Sequence, residues 1–141
     1  MRNHLILSLL LLFTVSCKEK VYDLDLSKAE KVVFQDLPEQ VSQFVSNNID
    51  SIANSHKDIY YSTDKNIEYT YGRGGVANNW LGSVNSNYHH FFINGAHYQL
   101  KGNRGHPFIL HEGYLYFCDL NLYVDDFTSR PYYKIEIPMI R

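Results

Sequence analysis

Tyr88-His89-His90-Phe91-Phe92-Ile93-Asn94-Gly95-Ala96-His97-Tyr98-Gln99-Leu100-Lys101 is a pair of alternating runs joined by Asn-Gly. A type I′ turn needs positive φ at both central residues, which Asn-Gly adopts at the least cost, so the stretch predicts a two-residue hairpin. That turn imposes a register, with Ile93 opposite Ala96, Phe91 opposite Tyr98 and His89 opposite Leu100. Side chains alternate between the faces of a strand, so these six residues form one mostly apolar face. Tyr88, His90, Phe92, His97, Gln99 and Lys101 form the other. Turn chemistry and burial pattern agree.

A second hairpin follows. Phe108–His111 and Tyr114–Asp119 flank a Glu112-Gly113 turn. Here both faces are apolar or aromatic: Phe108, Leu110, Leu115 and Phe117 on one, Ile109, His111, Tyr114, Tyr116 and Cys118 on the other. A strand pair of this kind is covered on both sides. The polar-Gly-x-x-Tyr echo between the two hairpins is a feature of meanders, and two copies do not make a solenoid. Lys31–Gln35, Ile59–Tyr61, Asn66–Tyr71 and Tyr132–Ile137 read as further strands. Gly72-Arg73-Gly74-Gly75 reads as a turn, because no strand–loop–helix context supports a phosphate cradle.

One helix is expected, over Leu37–Ala53. Leu37, Val41, Phe44, Val45, Ile49 and Ile52 recur at the spacing of a single buried helical face. Asp36 and Glu39 have the spacing of a capping box, and Pro38 is tolerated in a first turn. The fold class expected is therefore α+β: one N-terminal amphipathic helix packed on an antiparallel β-meander of five to seven strands.

Around the hairpins, composition sets limits. The chain has 141 residues, twelve Tyr and eight Phe, a share that favours strands, and a net charge of −2. Its basic residues are scattered singly, which gives neither a nucleic-acid groove nor a polybasic lipid patch. Only the N-terminus departs from this pattern. Arg2 precedes the apolar run Leu5–Phe13, too short for a bilayer-spanning helix, and small residues then lead to Cys17. This layout reads as a secretory signal.

Thr14-Val15-Ser16-Cys17 resembles the lipobox of bacterial lipoproteins, with Thr14 where the family prefers Leu. The resemblance implies cleavage before Cys17, a diacylglycerol on its thiol and acylation of the new amine. It divides the chain into a signal peptide at 1–16, a lipidated cysteine with polar tether at 17–30, and one α+β domain at 31–141. It places the protein in the cell envelope, lipid-anchored, facing the periplasm or the cell surface. Two or more acyl chains are needed for stable anchoring. Loss of Cys17 to lipid leaves Cys118 without an intramolecular disulfide partner, and its strand context predicts a buried, inert thiol.

Chemistry is sparse. No G-x-S-x-G, CxxC or HExxH spacing occurs, and Asp125-Asp126 reads as a solvated turn. No cofactor is expected. His90 and His97 lie diagonally on one face of the first hairpin, the weaker reading being a metal pair with His106 or His111. Trp80, in an Asn/Ser/Gly-rich stretch, and Tyr88 beside it are the candidate ligand-binding residues, since aromatic side chains suit recognition surfaces. Two functions follow as expectations. The first is a non-catalytic binding module (inhibitor, immunity or envelope accessory protein) with a protein or glycan partner and no nucleic acid. The alternative is a small hydrolase or metal-dependent enzyme using strand histidines.

Overall fold

Asn94 and Gly95 take φ of 48° and 77°, and Glu112 and Gly113 take 47° and 81°, so both turns have positive φ at both central residues. A computed structural model of the protein describes residues 20–55, 58–73, 88–101, 104–119 and 126–138. In the first hairpin β5 (Tyr88–Ile93) pairs with β6 (Ala96–Lys101), His89 facing Leu100, Phe91 facing Tyr98 and Ile93 facing Ala96. In the second, β7 (Arg104–His111) pairs with β8 (Tyr114–Asp119), Leu110 facing Leu115. A Cβ built on Gly95 meets nothing within 4 Å, so a substitution there meets backbone strain and no clash. Gly95→Val is accordingly expected to lower stability by about 1–2 kcal/mol, read as a shifted urea midpoint at unchanged slope.

The protein is mixed α+β, with two sheets and few helices. The first sheet has the order β1-β6-β5-β4 and the second β2-β9-β8-β7-β3. The remaining strands are β1 (Val21–Asp23), β2 (Glu30–Val32), β3 (Tyr60–Ser62), β4 (Tyr69–Arg73) and β9 (Tyr132–Glu136). A single antiparallel meander was the expectation. Instead the meander splits between β6 and β7, and β1 and β3 join as parallel partners of β6 and β7. The cause is the double burial of the second hairpin. One face, with Phe108, Leu110, Leu115 and Phe117, packs against Phe91, Ile93, Tyr98 and Leu100 of the first sheet. The other, with Ile109, Tyr116 and Cys118, packs with Val41, Val45 and Ile52 from the helices. Strands apolar on both faces need two covering layers, and one sheet cannot supply both.

Two stretches differ from expectation. Over Leu37–Ala53 there are two helices, α1 (Glu39–Asn47) and α2 (Ile49–Asn54). The apolar stripe continues across the break, but the Asn48 amide donates to the Phe44 carbonyl at 2.8 Å and takes up a carbonyl at the end of α1. The capping box does not form. Asp36 closes a 3₁₀ turn through its backbone, and Pro38 caps α1 with its carbonyl, accepting from Val41 and Ser42 N–H at 3.0 Å. Phe44 is only half-buried, stacked on Tyr61 at 4.1 Å. Residues 21–28, expected inside the polar tether, belong to the fold. Tyr22 packs on Tyr98 at 5.4 Å between ring centres, and Leu24 lies in the core between the sheets. The charges of Asp23, Asp25 and Lys28 mask this strand in the sequence.

The sandwich has two unlike ends. At one, residues 63–68 join the two tight turns: Thr63 N–H donates to the Leu110 carbonyl at 3.0 Å, and Asn94 N–H to the Glu68 carbonyl at 2.9 Å. Val21 starts β1 at this end, opposite His97. At the other end β4 and β6 stop, β5, β7 and β9 begin, and β8 finishes opposite the start of β9.

Candidate functional site

At this second end, four titratable side chains from separate segments meet. His89 sits on the inward face of β5, where the alternation puts an imidazole among Phe91, Ile93 and Leu100. A polar group buried there needs a partner. Tyr71 of β4 supplies one: its hydroxyl oxygen lies 2.7 Å from His89 Nδ1. The same hydroxyl donates to Asp58 Oδ2 at 2.5 Å. Asp58 Oδ1 lies 3.2 Å from His106 Nδ1, and His106 Nε2 lies 2.9 Å from the Ile52 carbonyl. Histidine, phenol, carboxylate and histidine thus form one continuous chain ending on α2.

Proton counting assigns the roles. Tyr71 has a single hydroxyl proton, given to Asp58, so its oxygen accepts from His89 Nδ1–H. A carbonyl only accepts, so His106 Nε2 carries a proton and donates to Ile52. Asp58 Oδ1 and His106 Nδ1 are joined by one hydrogen bond. His106 thereby takes up a carbonyl that the last turn of α2 leaves without an intrahelical partner. A general base needs a lone pair directed at substrate. Both His106 nitrogens are committed within the protein, and the Tyr71 hydroxyl spans two neighbours. The arrangement binds both sheets and a helix together.

The residues singled out by sequence are dispersed. Cys17 and Trp80 lie outside the described residues. Tyr88 is half-exposed at the start of β5, its ring 6.3 Å from His90, on the face of the first sheet opposite His89. His90 and His97 do come together: Nδ1 of the first is 2.9 Å from Nε2 of the second, and Phe92 stacks on His97 at 4.4 Å. One ring donates to the other at this distance. Among the described residues no group of three or more His, Cys, Asp or Glu side chains gathers with metal-binding geometry. His111 is engaged elsewhere, 2.7 Å from the Thr63 hydroxyl. Cys118 is buried in the helix-facing cluster. Asp126 anchors a turn: the Thr128 hydroxyl and N–H and the Ser129 hydroxyl hold its carboxyl below the usual range.

Of the many tyrosines, Tyr116 and Tyr132 are core, and burial pushes both phenols up. Among the described tyrosines, Tyr60 and Tyr61 are the exposed ones, 48 % and 40 % exposed on β3, an outer strand of the second sheet. Tyr60 meets Tyr69 edge-on at 5.6 Å and Tyr61 stacks on Phe44, which makes an aromatic border along that edge. Asp58, Tyr71 and His106 were not singled out together in the sequence. The available signal was His89, a polar residue at an inward position of the hairpin. No protein-family profile, curated protein or solved structure matches this chain.

Proposed function

We propose that the protein is an exported small lipoprotein, anchored in the bilayer through acylated Cys17. Its domain acts there as a non-catalytic binding module of the inhibitor, immunity or envelope-accessory kind. The observation that carries this reading is the Asp58–Tyr71–His89–His106 chain. The Tyr71 hydroxyl, the Asp58 carboxyl and both His106 nitrogens are engaged within the protein, at the end of the sandwich where β4 stops at Arg73 and β5 resumes at Tyr88. A rigid frame at that end limits the entropy cost of presenting the segment between those strands, which carries Trp80. Tyr88 borders it, and the Tyr60–Tyr61 edge adds exposed aromatic surface of the type enriched at protein and glycan interfaces.

Two measurements check the reading. Cys17→Ser is expected to abolish labelling by a palmitate analogue and release the protein from membranes; equal labelling in the variant defeats the anchor. Trp80→Ala is expected to weaken partner capture at least about tenfold while leaving the melting temperature nearly unchanged. An unfolded Trp80→Ala domain defeats the binding role instead, because Trp80 is then core. The alternative, a metal-dependent enzyme using strand histidines, has the 2.9 Å His90–His97 contact in its favour. Titration with zinc or copper distinguishes it: saturable binding lost in His97→Gln supports that reading over the first.

A further inference from the structure

We propose that the chain between Cys17 and Val21 is a strap that fixes which end of the domain meets the bilayer. The turn end, with Asn94, Glu112 and residues 63–68, faces the lipid. The end carrying the Asp58–Tyr71–His89–His106 chain faces away, toward a partner. This rests on the acylation of Cys17 proposed above.

The argument is one of chain length and attachment point. Cys17 precedes Val21 by four residues, at most about 14 Å of extended chain. Val21 is held in place: β1 pairs along β6 from Val21 opposite His97 to Asp23 opposite Gln99, and Leu24 N–H donates to the Gln99 carbonyl at 2.8 Å. Behind this, Tyr22 lies on Tyr98 and Leu24 enters the core. Among the described residues, pairing therefore starts beside the Asn94-Gly95 turn, at Val21. The body is longer than the strap. The eight residues of β7 span about 26 Å from the far end to the Glu112-Gly113 turn. A strap of half that length, leaving from the turn end, keeps this end at the lipid.

The surface there mixes exposed Lys65, Glu68, Asn94 and Glu112 with two exposed apolar side chains, Val21 and Phe92, both opposite His97. Its charges are of mixed sign, so anionic headgroups add little and the acyl chains supply the main attachment. The partner-facing end is then presented to solvent by default.

Fluorescence transfer to the bilayer tests this. The full acylated chain is labelled through Lys65→Cys at the turn end or Lys101→Cys at the far end, both exposed positions, while Cys118 is buried. Each is placed in phosphatidylcholine vesicles containing a headgroup acceptor dye. Transfer from position 65 is expected to exceed that from position 101 at least twofold. Inserting about twenty Gly/Ser residues between Lys20 and Val21 is expected to remove the difference while the protein still floats with vesicles. Equal transfer from both positions with the native strap, in protein that floats, overturns the orientation and leaves the anchor standing; a domain lying flat on its first sheet gives that result. Failure of the native chain to float, as for Cys17→Ser, overturns the anchor and the orientation with it.

Discussion

Phe108→Ala is expected to destabilise the protein by about 3–5 kcal/mol, the largest effect of any single truncation between the two sheets. Phe108 is fully buried, and its ring meets those of Tyr71, His89, Phe91 and Phe117 at 4.8–6.4 Å. Two costs combine. The ring's transfer free energy is lost, and the cavity left behind collapses little because its walls belong to paired strands of both sheets. A loss below about 1 kcal/mol in urea unfolding would show that the sheets do not pack through Phe108. Phe44→Ala should cost clearly less, since Phe44 is half-buried at the border with Tyr61.

Asp58→Ala should be the next most damaging, at about 2–4 kcal/mol. The carboxylate is 9 % exposed and takes hydrogen bonds from both the Tyr71 hydroxyl and the His106 ring. Its removal strands two donors and leaves the His106 imidazole, 18 % exposed, without its acidic neighbour. Leaving buried donors unsatisfied costs more than a hydrogen bond's net contribution. Tyr71→Phe isolates one arm of the chain. In a double-mutant cycle the two changes should be strongly non-additive, with a coupling of about 1–2 kcal/mol. Additive losses would mean that the two side chains do not act as a unit.

The first hairpin was legible because two independent constraints, positive φ at Asn94-Gly95 and period-two alternation, fix the same register. The second was legible as doubly covered, since neither of its faces is polar. What covers it was not, because alternation says which side chains share a face and nothing about which sheet they meet. β1 was hidden for another reason: Asp23 and Asp25 flank Leu24, and one apolar residue among charges reads as solvated chain. The break between α1 and α2 escaped because 3.6-residue periodicity runs through it, and a side-chain bond from Asn48 leaves no trace in periodicity. Of the site, only His89 was visible as an inward polar residue. Asp58, Tyr71 and His106 come from segments 13 to 48 residues apart, joined by tertiary packing that no local pattern encodes.

The parallel docking of β1 on β6 also bears on the order in which the chain assembles. Asp23 and its partner Gln99 are 76 residues apart, whereas the outermost pairs of the two hairpins, Tyr88 with Lys101 and Arg104 with Asp119, are 13 and 15 residues apart. Closing a long loop costs entropy before its contacts repay it, so local pairs form first. The hairpins are the expected nucleus and β1 the latecomer. Substitutions at the hairpin turns should therefore slow refolding, while Leu24→Ala should mainly speed unfolding. A chain emerging N-terminus first must hold Val21–Leu24 unpaired until β6 has appeared, so β1 waits for a partner made long after it.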